Sequence, residues 1–231
     1  MSELPTVAAL FCAKAASAAY ADPNRMAYVR SINGAITEFD HLLHGAYAQA
    51  SFGRFGVLIA FRGTNVTEIT DLIADVSIVP TPSGFHSGFS VYVDWLTTDI
   101  HNWLDPIMNA NPTTAVTLTG HSMGGAMAQI YAFTLRARYG KLPVVFAFDS
   151  PACMTSTKAE EFDRTFTQSW RVYIHGDMIV KILNWVFSHT SRMAEVGASG
   201  IISYTPSGFF DISISHSIET LISYLEHSLG L

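Results

Sequence analysis

The pentapeptide Gly120-His121-Ser122-Met123-Gly124 carries a serine with a glycine two positions to each side. A chain of this length shows the bare G-x-S-x-G pattern by chance about once in ten, so its context decides its meaning. Ala115 to Thr119 alternates as a strand does, and from Met123 an alanine-rich helix runs to Gly140, with Pro143 beyond. Strand, sharp turn and helix in that order describe a nucleophile elbow. A residue on so tight a turn sits in strained backbone, and the flanking glycines remove side chains that would strike neighbouring elements. Ser122 would then stand at the carboxyl edge of a sheet, at a helix N-terminus whose backbone donors favour negative charge. The competing role for Ser122 is a plain helix N-cap.

A serine hydroxyl needs a base, and the base an orienting acid, which on this scaffold follow in the order Ser, Asp or Glu, His. The downstream acids are Asp149, Asp163, Asp177 and Asp211, and the bases are His175, His189, His216 and His227. Asp163 falls on a charged helix. Asp177, in His175-Gly176-Asp177, comes just past a strand end, where catalytic groups collect in open α/β sheets. It is the preferred acid, against an Asx-turn role, and Asp149 at the end of another strand is its competitor. His216 is the preferred base, at the start of the last helix; His189 is second, and His227 reads as a solvated residue. The oxyanion hole calls for the backbone N–H of Met123 and a donor from an earlier loop, which Phe61-Arg62-Gly63-Thr64 supplies at Thr64.

Those groups need a scaffold. Short β-type runs cover Ala27 to Ile32, Ala35 to Phe39, Ala46 to Phe52 and Gly56 to Phe61, punctuated by Asn33-Gly34 and Gly53. Helix and strand then alternate: helix over Ser87 to Asn109, strand Ala115 to Thr119, helix Met123 to Tyr139, strand Val144 to Phe148, helix Lys158 to Thr167, strand Arg171 to His175. This alternation predicts an α/β fold, a mostly parallel central sheet with helices on both faces, formed as one domain over residues 1–231. Ahead of it, Leu4, Ala8, Phe11, Ala15 and Ala18 recur at helical spacing. Ala19-Tyr20-Ala21 has the look of a leader-cleavage site, but Glu3 and Lys14 are wrong for a secretory leader, and a mature amphipathic helix in a cytoplasmic protein is the expectation.

Composition narrows the function classes. Apolar residues at 49% exclude disorder, while charge at 14% leaves long uncharged stretches that invite a membrane reading. The longest, Pro106 to Leu135, is broken by Asn109, Asn111, Pro112, His121 and Ser122, so no transmembrane segment is expected. With 13 basic against 19 acidic residues, and one small basic cluster of Arg136, Arg138 and Lys141 at a helix end, there is no nucleic-acid footprint. Cys12 and Cys153 lack metal-ligand spacing and read as small buried hydrophobes.

Five segments in order, Phe61-Arg62-Gly63-Thr64, His86-Ser87-Gly88-Phe89, Gly120 to Gly125, Ser150-Pro151 and Arg171 to Asp177, together resemble the class 3 (fungal-type) lipases, as does the helix ending Ser17-Ala18-Ala19-Tyr20. The resemblance covers nearly the whole chain and implies an α/β-hydrolase fold with Ser122, Asp177 and His216 as triad and Thr64 in the oxyanion hole. It implies a serine carboxylic-ester hydrolase, a triacylglycerol lipase or esterase working through an acyl-enzyme. No metal or cofactor is required, the partners being a small ester or acylglycerol and transiently a lipid interface. A feruloyl-type esterase, phospholipase, thioesterase or silent binding homologue would share the scaffold.

Three departures stand out. Asp149 occupies a position where the family usually has glycine. Two cysteines and no leader make the chain resemble a bacterial-type, intracellular member, since secreted fungal relatives carry several disulfides. The segment Val76 to Phe85, where the family's lid lies, is short, implying a small lid or none. Ile182 to Phe187 and Ile201 to Phe210 flank His216 in sequence and are candidates for the acyl-pocket wall, with ordinary core as the alternative.

Overall fold

The computed structural model describes residues 3–41, 44–64, 79–204 and 216–231. Helices α1 (Thr6–Ala18) and α2 (Pro23–Asn33) lead into β1 (Ile36–His41), β2 (Ala46–Gly53) and β3 (Gly56–Phe61). Then follow α3 (Ser87–Ala110), β4 (Val116–His121), α4 (Met123–Tyr139), β5 (Val144–Phe148), α5 (Ser156–Thr165) and β6 (Trp170–Ile174). The chain closes with β7 (Met193–Gly197), β8 (Gly200–Ser203) and α6 (Ile218–Ser228).

The strands form one eight-stranded sheet in sequential order. β3 to β7 are parallel, with antiparallel neighbours β1 and β2 at one edge and β8 at the other. Strand alternation divides the core in two, because successive side chains leave the sheet on opposite sides. Ile59, Phe61 and Leu118 pack with α3 and α4 on one face; Leu58, Ala60, Phe148 and Val172 pack with α1, α2 and α6 on the other. Strands buried on both faces have to be continuously apolar, which is why β3, Gly-Val-Leu-Ile-Ala-Phe, reads as it does. Pro106 to Leu135 turns out to hold the end of α3, β4, the elbow and most of α4, and no described helix is long and apolar enough to cross a membrane.

Two sequence expectations need correction. Ala27 to Ile32 is not a strand but the body of α2. Asp22 accepts from the N–H groups of Asn24 and Arg25, and Pro23 opens the first turn, a start signal that outweighs the local β propensity. On α1, Ala8 is exposed, and burial extends instead over Ala9, Leu10, Cys12, Ala13 and Ala15 to Ala18. Small side chains on most sides let that helix sit close to β4, α2 and α6 at once. At the start of the Ile201 to Phe210 stretch, Gly200–Ser203 forms the edge strand β8, opening at Gly200 with φ of 91°; Ile201 packs against the core and Ile202 is exposed. The remainder of that stretch, Tyr204 aside, lies outside the described residues, as do Val76 to Ile78.

Candidate active site

The elbow forms because two glycines are sterically compulsory. A Cβ on Gly120 would lie 2.3 Å from the Gly124 carbonyl, and one on Gly124 only 2.1 Å from Phe61 O. Helix α4 can therefore start directly against the end of β3. Between the glycines Ser122 adopts φ 57°, ψ −130°, a region side chains rarely enter and one that costs on the order of 1–3 kcal/mol. Its backbone is pinned, N–H to Phe148 O at 2.8 Å and C=O accepting from Gly125 N–H at 2.9 Å. The hydroxyl makes no capping bond, so the N-cap role does not describe it. Among the described residues the buried Ser122 Oγ has no hydrogen-bond partner, and neither does His216 Nε2.

Asp177 and His216 do come together. Asp177, in the turn after β6, accepts from Ile179 N–H through Oδ1 at 2.9 Å and holds His216 Nδ1 through Oδ2 at 2.6 Å. The Asx-turn role and the catalytic one are thus compatible, one oxygen serving each. Both side chains are buried, which leaves His216 Nε2 as the ring's free basic nitrogen. The His216 ring packs at 4.7 Å between centroids on His121, the residue just before Ser122. Thr64 Oγ1 lies 3.5 Å from Met123 Sδ, so the loop after β3 reaches the first residue of α4. Gly63 permits that approach, since a Cβ there would stand 3.1 Å from Ser122 Cβ and 2.4 Å from His121 O.

The other candidates have different surroundings. His175 Nδ1 pairs with Glu195 at 2.8 Å. His189 Nε2 lies 2.5 Å from Val180 O, and burial, with the Arg171 charge adding, lowers its pKa to about 3. His227 is exposed on α6. Asp163 accepts twice from Ser191 N–H, and Asp211 lies outside the described residues. Asp149, at φ 44°, is fully buried; its Oδ1 accepts Ile174 N–H at 2.7 Å, and burial, with the neighbouring Asp177 carboxylate adding, pushes its pKa well up.

Sequence reasoning did not anticipate what lies beneath Ser122. Tyr20 Oη is 3.0 Å from His121 Nδ1, and His121 Nε2 is 3.5 Å from Asp149 Oδ2. His121 occupies a position the elbow pattern leaves free, and no spacing rule links it to Tyr20 or Asp149. His121, Asp149 and His216 present ligand-type atoms within 4.8 Å of one another. A cation there would require Asp149 ionised beside Asp177, which burial and that neighbouring charge oppose, so the donor set is a poor fit to a metal centre. Cys12 and Cys153 are buried free thiols whose pKa values burial pushes far up, as expected of small hydrophobes.

Known proteins resemble the chain in sequence and in fold. The family model for class 3 lipases matches residues 58–187. The chain is 24% identical over 164 residues to a secreted mono- and diacylglycerol lipase of Gibberella zeae, covering 65% of this chain and 50% of the relative. It is 32% identical over 113 residues to a lipase of Rhizopus niveus, covering 46% and 29%. The chain thus spans half or less of the length of these curated relatives. Among solved structures, lipase II from Rhizopus niveus superposes with a TM-score of 0.74 at 22% identity, covering 95% of this chain and 94% of that one. A triacylglycerol lipase described as having a serine-protease triad superposes at 0.73 with 18% identity, covering 86% and 83%. At such identities these likenesses show the shared fold.

Proposed function

The chain belongs to the class 3 lipase family, and from that premise we propose that it is a serine carboxylic-ester hydrolase acting on acylglycerols. Ser122 attacks the ester carbonyl, His216 Nε2 takes the hydroxyl proton and returns it to the leaving alcohol, and Asp177 holds the imidazole's tautomer and its transient charge. The Met123 N–H and Thr64 receive the oxyanion, each such donor being worth about 2.7–4 kcal/mol in the transition state. Water then repeats the sequence on the acyl-enzyme. The observation that carries the reading is the buried 2.6 Å Asp177–His216 bond beside a serine held at φ 57° with no structural job for its hydroxyl.

The substrate class follows from the similar chains that act on acylglycerols. An apolar rim fits it: Met178, one residue past Asp177, and Trp185 are exposed, Trp185 at 73%. Large apolar groups in water beside a catalytic edge suit transient contact with a lipid surface. Likeness to a lipase named as secreted runs against the cytoplasmic placement expected from residues 1–21.

Ser122→Ala tests the reading. It should abolish both ester hydrolysis and covalent labelling by a fluorophosphonate probe, and a variant that stays active and labelled refutes it. An ester series varying chain length and alcohol then separates acylglycerol from aryl-ester and thioester preference.

A further inference from the structure

Acyl transfer as described uses none of Tyr20, His121 or Asp149, yet these groups lie in a row between the oxyanion loop and the triad, and among the described residues His121 Nε2 and Asp149 Oδ2 have no hydrogen-bond partner. Tyr20 Oη lies against Gly63, 2.5 Å from where a Cβ there would stand, and 3.0 Å from His121 Nδ1. His121 Nε2 faces Asp149 Oδ2 at 3.5 Å, and Asp149 in turn reaches the Asp177 carboxyl that holds His216.

Proton bookkeeping fixes the direction of each bond. Two ionised carboxylates have nothing to share, so one of the pair must be an acid. Asp177 accepts from Ile179 and His216, whereas Asp149 has one backbone donor and is fully buried. Burial first, then the Asp177 charge, push the Asp149 carboxyl well above the usual carboxylate range. Burial, with His216 adding, holds His121 neutral. With the Tyr20 hydroxyl donating to Nδ1, the imidazole proton sits on Nε2 and faces Asp149.

We propose that Asp149 is a positioning residue for His216: it donates its carboxyl proton to Asp177, beside the Tyr20–His121 pair that leads back to the oxyanion loop. This rests on the hydrolase reading above. An aspartate held at φ 44° is strained, and its carboxyl contacts are what offset that strain.

Donation from Asp149 spreads the Asp177 charge and weakens its hold on protonated His216. Losing the donor therefore tightens that hold and moves the acid limb of kcat to higher pH; losing a second negative charge would do the reverse. The titratable groups facing Asp149 among the described residues are Tyr20 after α1, His121 ending β4, Asp177 after β6 and His216 before α6.

The test compares two variants. Asp149→Gly suits the positive φ, so it folds, and it removes the donor: its acid limb should rise by about half a pH unit, with kcat down about tenfold and KM unchanged. Asp149→Asn still donates through its amide, and should keep the limb in place with kcat within about threefold of the parent. Limbs that fall in both variants would show an ionised Asp149, and a limb that stays put in Asp149→Gly would show a space-filling residue; either overturns the proposal. Infrared difference spectra at neutral pH should show a carboxylic-acid band in the parent that Asp149→Asn lacks, and a parent without it also overturns the proposal. If the parent hydrolyses no ester, the functional reading fails on its own, while the infrared band still decides the Asp149–Asp177 bond.

Discussion

Gly124→Ala should damage the site through backbone geometry alone. The added Cβ falls 2.1 Å from Phe61 O, 2.8 Å from Phe61 C and 2.9 Å from Arg62 C. All three are backbone atoms that cannot rotate away, and nonbonded heavy atoms pack at about 3.5 Å. The first turn of α4 and the end of β3 must therefore part by about 1 Å. That seam carries both halves of the proposed oxyanion hole, Thr64 three residues past Phe61 and Met123 one residue before Gly124. Overpacking of this kind costs about 1–3 kcal/mol of stability. Misplacing a catalytic group by about 1 Å costs around 100-fold in rate. Urea unfolding monitored by tryptophan fluorescence gives the first figure, and kcat on a water-soluble p-nitrophenyl ester gives the second. Gly140→Ala is the matched control: Gly140 has φ 66° with nothing within 4 Å of an added Cβ. It should lose about 1 kcal/mol from left-handed strain and keep its kcat. A Gly124→Ala protein with parental stability and kcat would refute the steric argument for the elbow.

Asp177→Asn should lower kcat by about four orders of magnitude, through the wrong His216 tautomer, while leaving the fold intact by circular dichroism; a smaller loss than Asp149→Asn produces would transfer the acid's role to Asp149. Stability should fall below about pH 6.5 in part because of His86, whose pKa burial lowers to about 4. Between those values the unfolded chain takes up a proton that the native state refuses, a slope of up to about 1.4 kcal/mol per pH unit. His86 caps α3, its Nδ1 accepting Phe89 N–H, so His86→Asn keeps a capping oxygen and should flatten that slope; equal losses between pH 7 and pH 5 in both proteins would contradict this. Trp185→Ser should reduce turnover of emulsified or vesicle-borne acylglycerol several-fold while sparing a soluble ester, and equal effects on both substrates would remove Trp185 from the lipid-facing rim.

These outcomes differ in how far a sequence could have announced them. The elbow was legible because its constraint is local: Gly120, Ser122 and Gly124 must be what they are for reasons confined to one turn and the strand beside it. Asp177 and His216 were legible for a weaker reason, chain order on an α/β scaffold, which leaves several carboxylates and imidazoles in contention until burial and partners separate them. α2 was misread because Ala27 to Ile32 has the composition of a strand, and the deciding information, Asp22-Pro23, stands before the segment it governs.

Hydropathy fails for a different reason between Ile182 and Phe187. Leu183 and Phe187 are core residues, at 0% and 2% exposure, and Trp185 between them is 73% exposed, yet all three are equally apolar on paper. An apolar side chain records only that it avoids water somewhere, in the core or against a lipid. Asp149 is the converse case. Its one-residue departure from the family's glycine was visible in the sequence, but its consequence depends on Asp177 and on His121, which Tyr20 holds in turn, residues from three separate parts of the chain. A departure from pattern locates a place to look, and its chemistry becomes readable only when the fold supplies the partners. By that logic Asp149→Gly is the more informative of the two substitutions. It restores the residue that the backbone angle favours, and whatever it then loses in rate or in pH profile belongs to the carboxyl and not to the turn.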